Sequence, residues 1–302
     1  MDLLSAVLRE ARFESAGYRW LELGTPFRVG FDRPGLRGVH LVTHGCCEYE
    51  LAGETGRLGA GDLVIFPRGD AHLLQSGRSG PVVPGFELAM RTPGIRLRAG
   101  GPVPDTVVMC GAFVMGEPDH PALRGLPRVL RLPAPQPWLG PLVEALETEA
   151  LDGGPGSDLV MARLSDALLI RALRHHGDAQ PAGWLAGLAD PYVAAALEAL
   201  HADPARPWTL AALARVAGLS RAAFAARFTG RVGEPAMRYL LAVRMQRART
   251  LLRDERATVA AVAGQVGYAS EVAFAAAFKR EVGTSPGAYR KAAETRRLPE
   301  GG

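Results

Sequence analysis

The sequence lacks several features that would place it in a specialised class of protein. No apolar run approaches the roughly 20 residues that a membrane-spanning helix needs, and the acidic Asp2 and Glu10 around the first apolar segment are unlike a secretory signal. Three cysteines are too few, and odd in number, for a disulfide framework. With 22% charged and 48% hydrophobic residues the composition excludes overall disorder. We therefore expect a cytoplasmic globular protein that does not contact membranes.

The length and the distribution of charge indicate two domains with different partners. A chain of 302 residues is longer than one hydrophobic core usually supports. The net charge of +4 conceals an asymmetry, since residues 201–302 carry 17 Lys and Arg against 8 Asp and Glu, a net charge of +9. Residues 1–200 carry 18 against 23, a net charge of −5. The basic part is the one expected to meet a polyanion such as DNA.

The residue pattern of 1–135 is typical of an all-β domain. Short apolar runs such as VHLVTH, CEYEL, DLVIFP and TVVMCGAFV are bounded by Gly, Pro and Asp. From residue 136 the pattern changes, because apolar residues recur at a spacing of three and four in 138–151 and 157–175. The second of these predicted helices has an unusually broad apolar stripe. It either packs into its own domain or forms a partner interface.

The last part of the chain contains an internal repeat. Residues at five positions recur at an offset of 50, namely Ser220, Phe224, Phe228, Gly233 and Tyr239 with Ser270, Phe274, Phe278, Gly283 and Tyr289. Each copy predicts a short helix, a turn containing glycine, and a second helix capped by the serine. This is the helix-turn-helix pattern. A linker helix over residues 235–253, about 28 Å long at 1.5 Å per residue, would separate the second helices by nearly the roughly 34 Å between successive major grooves.

The residues 266–290, VGYASEVAFAAAFKREVGTSPGAYR, closely resemble the C-terminal signature of the AraC/XylS family of bacterial transcription regulators. The stretches GDLVIFPRGDAH, PRVLRL and GWLAGLADP resemble the subgroup of that family whose sensor is a cupin barrel. The resemblance implies an α+β multidomain protein. Its parts would be a cupin-like β-barrel sensor at 1–135, a helical dimerisation and coupling segment at 136–183, and an all-α tandem helix-turn-helix DNA-binding domain at 184–302.

The second helix of each repeat predicts the surface that meets DNA bases. The paired phenylalanines mark the buried face, so the opposite face should read the groove. The candidate base-facing residues are Ser220, Arg221, Ala222, Ala225, Ala226, Ser270, Glu271, Val272, Ala275 and Ala276. Alanine can only touch a thymine methyl, so direct hydrogen-bonded reading is limited to Arg221 for guanine, Glu271 for cytosine and the serines. Phosphate contacts and DNA shape should supply much of the affinity.

A second set of residues is suited to DNA phosphates. Guanidinium and ammonium groups bind phosphates, and capped helix N-termini add backbone N–H donors. The candidates are Thr209, Arg238, Arg244, Arg247, Arg249, Arg256, Thr258, Lys279, Arg280, Arg290 and Lys291.

The predicted sensor domain also contains candidate metal ligands. Residues 61–72, GDLVIFPRGDAH, fit the second cupin motif, whose last histidine binds metal in catalytic cupins, as the resemblance implies. The first cupin motif is missing in its usual spacing, which counts against an enzyme. Strand alternation could instead place His40, Cys47, His72 and Cys110 together as a tetrahedral Zn²⁺ site. The competing interpretation is that these are ordinary core cysteines and hydrogen-bonded histidines.

Taken together, these features predict a dimeric regulator that binds double-stranded DNA and responds to a small-molecule effector or a metal in its barrel. RNA polymerase is a candidate partner, and activation is one outcome, although the sequence leaves activation and repression open. Two other functions are weighed against it: a metal-dependent cupin enzyme with an attached DNA-binding module, and a weakly specific DNA-binding protein. The ratio of specific to random DNA binding would separate the last of these.

Overall fold

The computed structural model describes residues 2–11, 13–117, 120–253 and 257–297. The chain divides into two compact units. The β unit comprises residues 8–118 and 126–176, and the helical unit comprises 1–7, 119–125 and 177–302. Residues 136–176, the larger part of the segment 136–183 that the sequence sets apart as a coupling segment, are thus grouped with the strands. Within the described ranges, no helix has the length and apolarity needed to cross a bilayer.

The β unit contains eleven described strands, which run through the first 132 residues in chain order. They are β1 (Phe13–Gly24), β2 (Phe27–Phe31), β3 (Arg37–His44), β4 (Cys46–Leu51), β5 (Glu54–Gly59), β6 (Leu63–Ile65), β7 (His72–Ser76), β8 (Val83–Pro84), β9 (Arg96–Gly100), β10 (Thr106–Met115) and β11 (Leu130–Leu132). The runs VHLVTH, CEYEL, DLVIFP and TVVMCGAFV fall on β3, β4, β6 and β10, so these predicted strands are confirmed.

The strands form two sheets that pack face to face. One has the order β11-β6-β3-β10-β1-β9 and the other β5-β4-β7-β2-β8. Their inner faces share a core to which both contribute, with Leu21, Val64 and Val108 from the first sheet and Val29 and Leu74 from the second. Among the described residues no strand pairing joins the two sheets, so they do not close into a barrel. The expectation of a barrel is corrected to an open two-sheet sandwich.

The chain switches from one sheet to the other at a sharp corner. Gly45 separates β3 from β4 and has a φ of +74°, a conformation that favours glycine. A Cβ at this position would lie 2.3 Å from the Asp105 carbonyl oxygen. Because β3 and β4 bend apart here, they enter different sheets instead of pairing as a hairpin.

Helix α4 covers part of the outer face of the first sheet. The helices described in the first 179 residues are α1 (Leu3–Glu10), α2 (Gly85–Arg91), α3 (Leu139–Asp152) and α4 (Ser157–Ala179), with a 3₁₀ turn at Pro121–Leu123. Leu168 and Leu169 of α4 are buried next to Tyr18 and Phe113 of the sheet. Leu159 of the same helix is 61% exposed. The C-terminal part of the apolar stripe of α4 therefore packs against the sheet of its own unit, and the N-terminal part leaves apolar side chains exposed to solvent.

The helical unit consists of short helices in a repeated arrangement. They are α5 (Trp184–Ala189), α6 (Pro191–Ala202), α7 (Leu210–Val216), α8 (Arg221–Val232), α9 (Ala236–Leu252), α10 (Val259–Gln265), α11 (Glu271–Val282) and α12 (Pro286–Arg297). The predicted serine caps are present, and threonines cap the first helix of each unit in the same way, since Thr209, Ser220, Thr258 and Ser270 each accept a backbone N–H three residues on. The two helix-turn-helix units are therefore confirmed as elements.

The internal repeat corresponds to two equivalent aromatic clusters. In the first, Phe228 lies 5.5 Å from Phe224 and 6.1 Å from Tyr239, measured between ring centroids. In the second, Phe278 lies 5.6 Å from both Phe274 and Tyr289. The four phenylalanines are fully buried. Each copy of the repeat thus fixes its second helix by the same packing.

Candidate nucleic-acid interface and sensor cavity

The second helix of the first helix-turn-helix unit, α8, presents a mostly small surface to solvent. The Ser220 hydroxyl accepts the Ala223 N–H at 3.2 Å and so begins the helix. Arg221, Ala222 and Ala226 are exposed on the side away from the buried phenylalanines, and Ala225 is half-buried at its edge. With Ser220, four of the five predicted base-facing residues of this unit are therefore exposed.

The second unit repeats this surface on α11 with one difference. Ser270 caps the helix, and Glu271 and Ala276 are exposed, while Ala275 is half-buried. Val272, at the position equivalent to Ala222 in the repeat, is 79% exposed. A large apolar side chain with this exposure has no packing role in the unit, which suits contact with a thymine methyl.

The predicted phosphate contacts divide into accessible and occupied groups. Arg247, Lys279 and Arg280 are exposed, as is Lys291, and the capping threonines lie at exposed helix N-termini. Arg249 and Arg290 are half-buried. Arg238 and Arg280 are exposed, and both lie 3.2 Å from the carboxylate of Glu281, whose side chain is 14% exposed. Arg256 lies outside the described residues.

Arg244 is placed differently from the sequence prediction. Its Nε donates to the Pro204 carbonyl at 2.8 Å and its Nη2 donates to the Arg206 carbonyl at 2.9 Å. A Cβ at Gly267 would come within 2.8 Å of the same Nη2. The side chain therefore joins the loop before α7 to the turn before α11, and its donors face protein carbonyls. This position does not suit the predicted phosphate contact and instead holds the two helix-turn-helix units in one orientation.

A buried carboxylate connects α8 to α6. Asp190 is 4% exposed and accepts the Tyr192 and Val193 N–H groups as the N-cap of α6. The Arg227 guanidinium on α8 donates to it at 2.8 Å, and Arg231 lies at 3.3 Å. Burial alone would raise the pKa of Asp190, but the Val193 N–H and Arg227 lower it below its ordinary value. The carboxylate is therefore ionised at neutral pH and fixes α8 from its buried side.

The β unit contains an open cavity of about 330 Å³, lined by residues of both sheets and of α2. Its wall is predominantly apolar, with a few polar groups. The lining residues are Gly17, Arg19, Leu21, Phe31, Asp32, Arg33, Leu36, Gly38, His72, Gly85, Phe86, Ala89, Met90, Leu97, Cys110, Gly111 and Ala112. A concave, mostly apolar site with a few convergent polar groups is the usual form of a small-molecule site.

A chain of hydrogen bonds runs along one side of this cavity. His72 Nδ1 is 2.8 Å from the Asp70 carbonyl, which can only accept, so Nδ1 carries the proton. Its Nε2 therefore accepts from His40 Nε2 at 2.8 Å. His40 Nδ1, left as an acceptor, accepts a hydrogen bond from the Cys110 thiol, whose Sγ lies 3.0 Å away. The thiol thus donates to His40, His40 donates to His72, and His72 donates to the Asp70 carbonyl, which accepts the last hydrogen bond.

Burial keeps every member of this chain neutral. It lowers the pKa of His40 well below the ordinary value, with a further contribution from His72. It also lowers the pKa of His72 to about 4 and raises the pKa of the Cys110 thiol well above its ordinary value. The wall therefore carries no thiolate nucleophile at neutral pH.

Three of the four predicted zinc ligands meet in this chain, but their geometry does not fit one tetrahedral ion. His40 uses opposite ring nitrogens for His72 and Cys110, so a single ion could not bind all three. Cys47 is buried in the same core, and burial raises the pKa of its thiol to about 12. No cluster of three or more His, Cys, Asp or Glu suited to a metal occurs in the described part of the chain. The zinc site predicted from the sequence is untested; from this geometry we expect less than one zinc per chain, and metal analysis would decide between the two.

Two cationic residues of the cavity were missed by the sequence analysis. Arg19 lines the cavity from β1, and Arg33 lies over the Phe86 ring at 3.7 Å. The sequence could have indicated Arg19, because strand alternation puts it on the same inward face of β1 as Leu21 and Leu23. A charged residue on a face that is otherwise apolar is a candidate for a binding role. Arg33 lies in a loop and has no comparable signal.

Comparisons with known proteins agree with both halves of this description. A family model described as cupin matches residues 2–178, and one described as a helix-turn-helix domain matches residues 213–292. A putative AraC-like transcription regulator of Streptomyces lividans is 36% identical over 301 residues, covering 96% of this chain and 98% of that protein. The HTH-type transcriptional regulator AlkR of Acinetobacter baylyi is 28% identical and covers 96% of this chain and 99% of its own.

Among solved structures, the DNA-binding domain of AdpA in complex with a target DNA is 34% identical, with a TM-score of 0.35, and covers 37% of this chain and 99% of that one. The similarity to the S. lividans regulator spans nearly the whole of both chains, including the tandem repeat and the sandwich. The chain belongs to the AraC family of transcription regulators, with an N-terminal cupin domain and a C-terminal helix-turn-helix domain.

Proposed function

We propose that this regulator binds double-stranded DNA by placing α8 and α11 in successive major grooves. The observation that carries the proposal is the pair of capped helices with equivalent exposed faces, held in one orientation by Arg244. The linker helix α9 has 17 residues, and at 1.5 Å per residue it is about 26 Å long. The exposed Arg247, Lys279 and Arg280 supply positive charge for the phosphates.

Base reading in this arrangement rests on few side chains. Arg221 can donate twice to guanine, Glu271 can accept from cytosine N4, and Val272 can contact a thymine methyl. The exposed alanines allow the helices to approach the bases closely. Affinity should therefore depend strongly on salt, while sequence preference comes from a small number of positions and from DNA shape.

The test begins with selection of preferred duplexes from a random pool by the full chain, followed by fluorescence anisotropy with the selected and a scrambled duplex. We expect the selected duplex to bind at least 10³-fold more tightly, which is the lower end for specific DNA binding. Arg221→Ala should cost about 1–3 kcal/mol on the selected duplex and relax preference at one base pair. Arg91→Ala, an exposed arginine on α2, is the control. A ratio near one would instead support weakly specific DNA binding.

We further propose that the cavity of the β unit is an effector site and has no catalytic role. The imidazoles of His40 and His72 and the Cys110 thiol are hydrogen bonded to one another and held neutral by burial, which suits a binding wall better than an active site. An effector that changes the DNA affinity must have its own affinity changed by DNA to the same extent. Titration of one ligand in the presence and absence of the selected duplex would test this coupling.

Two further partners are consistent with a role as a transcription regulator, namely a second copy of the chain and RNA polymerase. Leu151, Leu159 and Val160 leave exposed apolar surface on α3 and α4, which supports pairing with a second copy of the chain. Sedimentation of the wild type and of Leu159→Glu would show whether a dimer exists and whether this surface forms it. A DNA-binding regulator acts in the cytoplasm, and RNA polymerase is its candidate partner if it activates transcription.

A further inference from the structure

Arg19 places an unmatched positive charge in the wall of the cavity. It lies opposite Cys110 in the β1–β10 pairing, and Cys110 lies opposite His40 in the β10–β3 pairing. These three residues therefore form one row across the first sheet. The Arg19 Nη1 donates to the adjacent Tyr18 carbonyl, but its buried Nε has no acceptor among the described residues. Within the described ranges no carboxylate forms an ion pair with it.

The other groups of the wall do not neutralise this charge. His72 and Cys110 are neutral, since each takes part in the buried chain of hydrogen bonds. Asp32 and Arg33 are exposed at the rim, where they offset one another. The net charge of the lining is positive, and the guanidinium offers donors to an anion in a site of low dielectric constant.

The size and the remaining lining of the cavity define the rest of the ligand. At roughly 30 Å³ for each water molecule the cavity would hold about eleven waters, or about ten to twelve non-hydrogen atoms. Leu21, Phe31 and Leu97 form its apolar floor. Met90 of α2 is 71% exposed and Phe86 is 37% exposed. Both line the cavity and would lose solvent contact when an apolar chain lies beneath them.

We propose that this cavity binds a small amphipathic monocarboxylate, with the carboxylate on the Arg19 guanidinium and the hydrocarbon chain between the two sheets and α2. The proposal rests on the effector role proposed above and names the chemical class of that effector. Octanoate, with a carboxylate head and a chain that fills the estimated volume, is a suitable probe.

The experiment is calorimetric titration of the full-length protein with octanoate, octan-1-ol and octylamine, which differ only in the head group. We expect octanoate to bind at least tenfold more tightly than the alcohol, and the amine more weakly than either. Arg19→Gln should weaken octanoate by about tenfold to a hundredfold and leave octan-1-ol within twofold, because only the charge-assisted bonds are lost. Arg98→Gln, on the adjacent strand with a side chain 77% exposed, is the matched control.

The head-group comparison on the wild type alone can overturn the proposal, whether or not a variant folds. Equal affinity for the three probes, or no binding of octanoate, would do so. Unchanged octanoate affinity in a folded Arg19→Gln variant would equally refute the role of Arg19. DNA binding is measured on the same samples. If DNA binding is intact while octanoate fails, only this inference falls, whereas loss of DNA binding by the wild type contradicts the proposed function.

Discussion

The link between Asp190 and α8 allows a prediction whose size can be worked out from its contacts. Asp190→Asn keeps an oxygen that can cap α6 but removes the negative charge that Arg227 and Arg231 contact. Hydrogen bonds to charged groups contribute about 1.5–3 kcal/mol. The Arg227 side chain is 42% exposed and regains water, which reduces the loss. We expect the variant to lose about 1–2 kcal/mol in the free energy of opening of α6 and α8.

Asp190→Ala removes the cap as well as the charge. The cap bonds to the Tyr192 and Val193 N–H groups measure 3.1 and 3.2 Å. Loss of an N-cap costs about 1 kcal/mol, so the alanine variant should lose about 2–3 kcal/mol in total. The difference between the two variants thus separates capping from charge pairing.

The sign of the pH dependence follows from the lowered pKa of Asp190. A carboxylate whose pKa is lowered by folding contributes stability above its unfolded pKa and loses that contribution as the pH falls through the folded pKa. The wild type should therefore exceed Asp190→Asn by a constant amount from pH 7 down to about 4. Below that range the difference should shrink.

Hydrogen exchange read out separately for α6 and α8 is the appropriate assay, because it reports local opening. Glu198→Gln changes an exposed carboxylate on the same helix and serves as the control. An Asp190→Asn variant that exchanges like the wild type at pH 7, or a difference that grows on acidification, would refute the reasoning.

Three further predictions concern the DNA surface and the sensor. Lys279→Ala should lower the slope of log affinity against log salt by about 1 without changing sequence preference, as measured by anisotropy at several salt concentrations. A thiol reagent at pH 8 should label Cys46, which is exposed, and spare Cys47 and Cys110, whose thiol pKa values are raised by burial; rapid labelling of all three cysteines would contradict the buried geometry. Metal analysis of the purified protein should give less than one zinc per chain, with no change in His72→Ala; stoichiometric zinc that is lost in this variant would restore the four-ligand site.

The DNA-binding half could be predicted in detail because its signals are local. The serine caps, the glycine turns and the spacing of Phe224 from Phe228 act over three or four residues, so a linear pattern contains them. The repeat then confirms each assignment a second time at Ser270, Phe274 and Phe278. What the pattern did not contain was the use of Arg244, since its partners are carbonyls about 40 residues earlier in the chain.

For the sensor domain, the sequence predicted the strands but did not predict how the side chains of the cavity are arranged. Strand alternation correctly indicates an inward direction for His40 and Cys110, yet the direction of a ring nitrogen depends on which neighbours the register supplies. Register also decides that Arg19 stands beside Cys110. The sheet closure expected from the resemblance failed for a related reason, because the turn at Gly45 sends β4 into the second sheet.

The amino-acid sequence by itself determined the family, the tandem helix-turn-helix units and the basic charge of the region that carries them, because these depend on residue type and short spacing. The tertiary structure alone decided that Arg244 holds the units together, that the histidines and Cys110 bond to one another, and that Arg19 faces a cavity without a partner. Such facts depend on contacts between residues far apart in the chain, and only the packing of strands and helices brings those residues within bonding distance.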